Sequence, residues 1–103
     1  EFLEMGHNIA LYHQEFWDGK GYPEGLAGDD IPAEARIMAV ADVYDALRSK
    51  RPYKEALTHE IVKKVIVQSR GTHFDPRVVD AFVELEAKFE KIFDELSGQI
   101  EEE

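Results

Sequence analysis

The sequence predicts an all-α fold, a bundle of about four helices, and three observations carry that prediction. Apolar residues recur at three- and four-residue spacing in four stretches, Gly and Pro punctuate the gaps between them, and no segment reads convincingly as a strand. The first stretch holds Phe2, Met5, Ile9 and Tyr12 or His13. It is already running at Glu1, without an initiator Met, and this reads as a piece of a longer chain. From Phe16 to Ile31 the periodicity stops, and Gly19, Gly21, Gly25, Gly28 and Pro23 give a long loop. Trp17, Tyr22 and Leu26 favour an ordered loop, because a solvated linker has no use for large apolar side chains.

Pro32 suits the first turn of a second helix, with Glu34 near the positive end of its macrodipole, and the pattern runs to about Arg48 or Ser49. The Arg51-Pro52 step stops it. Thr58 is an N-cap for a third helix carrying Ile61, Val62, Val65 and Ile66, and Gly71 ends it in the left-handed conformation. The β-branched run from Ile61 to Val67 is told from a strand by length alone. Asp75 and Pro76 form the cap and first position of the last helix. Along it Val78, Phe82, Leu85, Phe89, Ile92 and Leu96 make one stripe, widened by Phe93. Such a stripe faces either the core or a coiled-coil-like seam with a second chain, so a homo-oligomer stays open. Residues 1–97 are expected to form one domain portion and 98–103 an acidic tail that frays.

With 103 residues the chain is one domain at most, burying roughly 65% of its unfolded surface. The absence of Cys excludes disulfides, thiolate zinc sites and cysteine nucleophiles. The longest apolar stretch, Ile37 to Leu47, is broken by Asp42 and Asp45 and falls short of the ~20 residues of a bilayer span. Neither a membrane helix nor a signal peptide is expected. A net charge of −10 argues against DNA binding. Arg48, Lys50, Arg51 and Lys54 nevertheless lie within seven residues, where an anionic small molecule could bind.

The second helix is apolar nearly all round, which predicts that Asp42 and Asp45 are at least partly desolvated. Buried carboxylates need partners, and the choice is between pairing with Arg36, Arg48 or Arg51 and a metal ion. His13, followed by Gln14 and Glu15, joins imidazole nitrogen to carboxylate oxygen, a donor set that suits iron, manganese or zinc; a hydrogen-bonded structural histidine is the alternative. His7, His59 and His73 are expected to cap helices or face solvent.

Residues 13–26, HQEFWDGKGYPEGL, closely resemble the signature of the HD-GYP phosphodiesterases, and Gly21-Tyr22-Pro23 is the motif that names that family. The resemblance continues through Asp30-Ile31-Pro32, Ala35-Arg36-Ile37, Ala41-Asp42-Val43, Arg51-Pro52-Tyr53-Lys54 and Gly71-Thr72-His73-Phe74-Asp75-Pro76, covering about residues 7–85. It implies the C-terminal half of an HD-domain helical bundle that holds iron or manganese ions and hydrolyses cyclic di-GMP in the bacterial cytoplasm. By position it makes His13 and Asp42 metal ligands and Arg51 and Lys54 phosphate contacts, with no separate catalytic acid or base assigned. Gly21, Tyr22 and Pro23 would line the substrate loop or meet a diguanylate cyclase (GGDEF) domain. Gln14 departs from the family, which places a second metal-binding histidine there, and a neutral amide is a poor ligand for a transition metal. The family's His-Asp pair would lie before Glu1, so the isolated chain is expected to hold no complete metal centre and to be inactive. A degenerate interaction module is the alternative. Loss of preceding helices would also leave an apolar face around Ile9, Val40 and Tyr44 to be covered by self-association or rearranged packing.

Overall fold

A computed structural model describes the backbone of residues 2–102 and the side chains of 2–97. Four helices follow in order: α1, Phe2–Tyr12; α2, Ala33–Arg48; α3, His59–Gln68; and α4, Pro76–Glu102. A single 3-10 turn, Gly28–Asp30, lies in the long loop before α2, and there is no β-strand among the described residues. The side chains of 98–103 lie outside the described residues, as does the expected fraying of that tail.

Local chemistry sets each boundary. Pro32 precedes α2 and its carbonyl accepts the Ala35 and Arg36 amides at 3.0 and 3.1 Å. Thr58 Oγ1 accepts the Ile61 amide, capping α3, and Gly71 (φ 84°) turns the chain beyond it. Asp75 Oδ1 accepts the Arg77 amide at 2.8 Å to open α4. The β-branched α3 is a helix because Val62 and Ile66, one turn apart, both reach zero exposure. Burying side chains of that size contributes about 1.5–3 kcal/mol each, more than their weak helix propensity costs.

The core lies among α2, α3 and α4, and Tyr44 is its hub. The Tyr44 ring meets His59, Phe82, Phe89 and Phe93 at centroid distances of 5.7 to 5.9 Å. Val40 and Tyr44 are therefore buried inside this chain, not left on the uncovered face expected of them. α1 buries no residue fully and is fastened to α2, where Asn8 donates to Glu34 at 3.0 Å. Part of the α4 stripe does face outward: Phe82 is buried, whereas Leu85, Ile92 and Leu96 are exposed. α2 is likewise buried on one side only, with Ile37 and Met38 exposed.

Candidate functional site

The loop that begins after α1 is organised around one carboxylate. Glu15 is buried, its Oε2 accepting the Glu24 amide at 2.8 Å and its Oε1 the Leu26 amide at 2.9 Å. Both oxygens are thus committed to backbone donors, and Glu15 holds the loop together where sequence had made it a candidate metal donor. Gly21 passes so close to the chain it returns to that an added Cβ would lie 2.4 Å from the Phe16 nitrogen and 2.5 Å from the Gln14 carbonyl oxygen. The far side of the loop is stitched to the connection before α4, with Trp17 donating to the His73 carbonyl at 3.0 Å and Asp18 to that of Thr72 at 2.9 Å.

These constraints shape a recess of about 270 Å³ between the loop after α1, helix α2 and the connection before α4, lined by His13, Gln14, Tyr22, Asp42 and His73 among others. His13 and Asp42, 29 positions apart, therefore line one space. His13 Nδ1 lies 2.8 Å from the Ile9 carbonyl oxygen. A carbonyl only accepts, so Nδ1 carries the proton and the Nε2 lone pair is left for another partner. Asp42 makes no ion pair among the described residues. It is exposed, however, and so is Asp45. The desolvation expected of the two fails because α3 and α4 pack on the other side of α2. Of the three arginines proposed as their partners, Arg36 pairs with Asp75 at 2.6 Å and Arg48 with Asp94 at 2.6 Å, while Arg51 is exposed and makes no ion pair among the described residues.

The Oε1 of Gln14 accepts the hydroxyl of Tyr22, which commits one of its two lone pairs. Tyr22 and Pro23 are exposed at the loop tip and Gly21 is half-buried beneath it. Arg51 and Lys54 lie outside the recess lining. Arg51 is exposed, whereas the Lys54 ammonium donates to the carbonyls of Leu47, Ser49 and Glu55 at 3.1, 3.0 and 2.6 Å.

Two histidines depart from the capping or solvent roles expected of them. His59 is 3% exposed, with Nδ1 2.9 Å from the Tyr44 hydroxyl and Nε2 3.3 Å from Glu86 Oε1. With Glu60 and Glu86 it makes the one group of three metal-capable side chains within 4.8 Å among the described residues. Both ring nitrogens are nevertheless occupied, and the Lys63 ammonium stands 2.7 Å from Glu86 and holds its carboxyl below the usual range. His59 and Glu86 are thus engaged with protein partners, whereas Glu60 is exposed and makes no ion pair among the described residues. The signal for its burial was present, since His59 shares the face of Val62 and Ile66. His73 is the second: it stacks on Phe16 and Phe74 and lines the recess, and nothing in the local pattern marked it.

At the loop's base, Asp75 is buried between two arginines, taking Arg36 at 2.6 Å and Arg77 at 3.0 Å. Burial alone would raise its carboxyl, but the hydrogen bonds from Arg77 and Arg36 outweigh that and hold it below the ordinary range.

The family model described as HD domain matches residues 1–78. A "Probable cyclic di-GMP phosphodiesterase" of Vibrio cholerae serotype O1 is 52% identical over 102 residues, 95% of this chain and 23% of that protein. The "Cyclic di-GMP phosphodiesterase response regulator RpfG" of Xanthomonas campestris pv. campestris is 52% identical over 96 residues, 93% of this chain and 25% of its own length. A crystal structure of a cyclic GMP-AMP-specific phosphodiesterase of V. cholerae superposes with a TM-score of 0.63 at 25% identity, over 82% of this chain and 21% of that one. The chain thus spans between 15% and 25% of the length of the curated relatives it matches.

Proposed function

This chain belongs to the HD domain family, in its HD-GYP branch, and from that premise we propose that it contributes one wall of the metal site of a cyclic di-GMP phosphodiesterase. The observation that carries the reading is the meeting of His13 and Asp42 at one recess, with the His13 Nε2 lone pair free. An imidazole nitrogen oriented by a backbone carbonyl, together with an unpaired carboxylate, fits iron or manganese. A divalent ion held there supplies Lewis-acid activation of water and offsets charge on phosphate oxygens. His13 and Asp42 would hold it, the Glu15-braced loop fixes Tyr22 at the mouth, and outside the recess lining the exposed Arg51, with Lys54 once it releases some of its carbonyls, contributes positive charge toward the phosphates of a bound dinucleotide. Two donors do not complete a centre, so the reading assigns the remaining ligands to residues outside this chain and gives the chain alone no turnover. The same reading puts the reaction in the bacterial cytoplasm.

The Gln14 to Tyr22 hydrogen bond favours a second reading. A neutral amide with one oxygen lone pair committed stands at a position the family gives to a ligand, and an exposed Tyr22 suits a module that binds a GGDEF-domain partner without hydrolysis.

One experiment separates the two. The intact protein carrying this chain is assayed for bound metal and for cyclic di-GMP turnover, beside His13→Ala and Asp42→Asn. Bound iron or manganese that both substitutions diminish, with loss of turnover, supports the enzyme. A protein that holds no metal, turns over nothing and still binds a diguanylate cyclase domain supports the second reading.

A further inference from the structure

His73 stands where the expected site had no residue. Its ring lies 3.9 Å from that of Phe16 at 27° and 4.1 Å from that of Phe74 at 15°. Two rings that close and that nearly parallel cannot share one face of an imidazole, so they cover opposite faces. His73 is thereby denied any stacking role toward a base, and only its edge remains available. That edge belongs to the recess of His13 and Asp42, and neither ring nitrogen has a hydrogen-bond partner among the described residues.

The surroundings also set its charge. Burial draws the imidazole below its ordinary value, with the Asp18 carboxylate pulling weakly the other way, so the neutral ring is favoured. A neutral imidazole offers one N–H donor and one lone pair. It suits an uncharged group that both donates and accepts, such as a ribose hydroxyl or the amide edge of a purine. Phosphate oxygens only accept and draw more from the full charges of Arg51 and Lys54. The ring is held in direction by Phe16 and Phe74 on its two faces, and the His73 carbonyl, taking the Trp17 amide at 3.0 Å, anchors its backbone to the loop.

We propose that His73 is a substrate-contacting residue of this site, its imidazole edge hydrogen-bonding the nucleoside part of a cyclic dinucleotide held in the recess. The assignment rests on the phosphodiesterase reading. Its contribution is to orientation, through in-plane bonds, and it takes no part at the phosphorus.

The test uses the intact protein with His73→Phe, which keeps a flat ring between Phe16 and Phe74 but removes both nitrogens, and His73→Gln, which restores a donor and an acceptor. Binding of cyclic di-GMP is measured by equilibrium dialysis after chelation, when no turnover occurs, and KM and kcat are measured with metal restored. The expected result is roughly fivefold or more weaker binding for His73→Phe, the scale of one lost hydrogen bond. KM should rise alike with kcat within about threefold, and His73→Gln should recover most of the loss. Unchanged binding by His73→Phe overturns the proposal, as does a loss confined to kcat. A wild-type protein that binds the dinucleotide without hydrolysing it overturns the phosphodiesterase reading while leaving His73 to be judged by the dialysis. A wild-type protein that neither binds it after chelation nor turns it over with metal restored overturns both.

Discussion

The Glu15 carboxylate reaches across eleven residues to accept the Leu26 amide at 2.9 Å while its other oxygen takes the Glu24 amide at 2.8 Å. A glycine-rich loop has little core of its own, so its order depends on this buried acceptor. Glu15→Ala removes both bonds and strands two amides, each costing about 1–3 kcal/mol if it stays buried. The loop is expected to open to water instead. Amide hydrogen exchange at Glu24 and Leu26 should accelerate at least tenfold while Val62 and Ile66 in the core stay protected. Uniform acceleration across the chain would contradict this local account.

Gly21 and Gly6 make opposite predictions from one substitution. At Gly21 an added methyl meets only backbone, at 2.4 to 2.7 Å, so Gly21→Ala must displace the loop from the end of α1. A loss of about 2 kcal/mol or more, with disturbed His13 and Tyr22 signals by NMR, is expected. Gly6 sits in exposed helix with nothing within 4 Å, and Gly6→Ala is expected to raise stability by about 0.5–1 kcal/mol. Thermal denaturation of the two variants checks the pair.

The helices were legible because each carries its own start or stop chemistry: Pro32, Thr58, Gly71 and the Asp75-Pro76 pair act within a few residues of where they stand. The recess was legible only through the resemblance, since no spacing rule joins His13 to Asp42. What sequence misjudged was long-range. Whether Asp42 is buried depends on which side of α2 the later helices pack, and composition alone made that helix look enclosed. His59 shares a helical face with Val62 and Ile66 and was recoverable from that periodicity. His73 was not, because its neighbour Phe16 lies 57 positions away and only the folded loop brings the rings together.

Asp75 gives the fold an acid-sensitive joint between α2, the loop and α4. Its carboxyl sits below the ordinary range because Arg77 and Arg36 outweigh its burial. A group lowered on folding stabilises the fold above its unfolded value, roughly pH 4, and that contribution fades as pH falls through the lower folded value. Asp75→Asn keeps a competent helix cap but removes the charge, so it should cost about 1–3 kcal/mol at pH 7. The gap between Asp75→Asn and wild type should narrow steadily below pH 4 in urea titrations. A gap that stays constant from pH 7 to pH 3 would show that packing, not charge, accounts for the loss.

Arg51 and Lys54 share a turn, each amide donating to the other's carbonyl at 2.9 and 3.1 Å, yet their side chains are differently placed. Arg51 is exposed, while the Lys54 ammonium closes the segment after α2 by donating to three carbonyls. Arg51→Ala is accordingly expected to change stability by less than about 0.5 kcal/mol and to weaken cyclic dinucleotide binding in the intact protein, more at low salt than at high. Lys54→Met keeps the apolar stem and should lower stability by about 1 kcal/mol before any effect on binding is considered. The lysine can serve a phosphate only by releasing some of those carbonyls. A stability loss larger for Arg51→Ala than for Lys54→Met, read from urea midpoints, would reverse this division of roles.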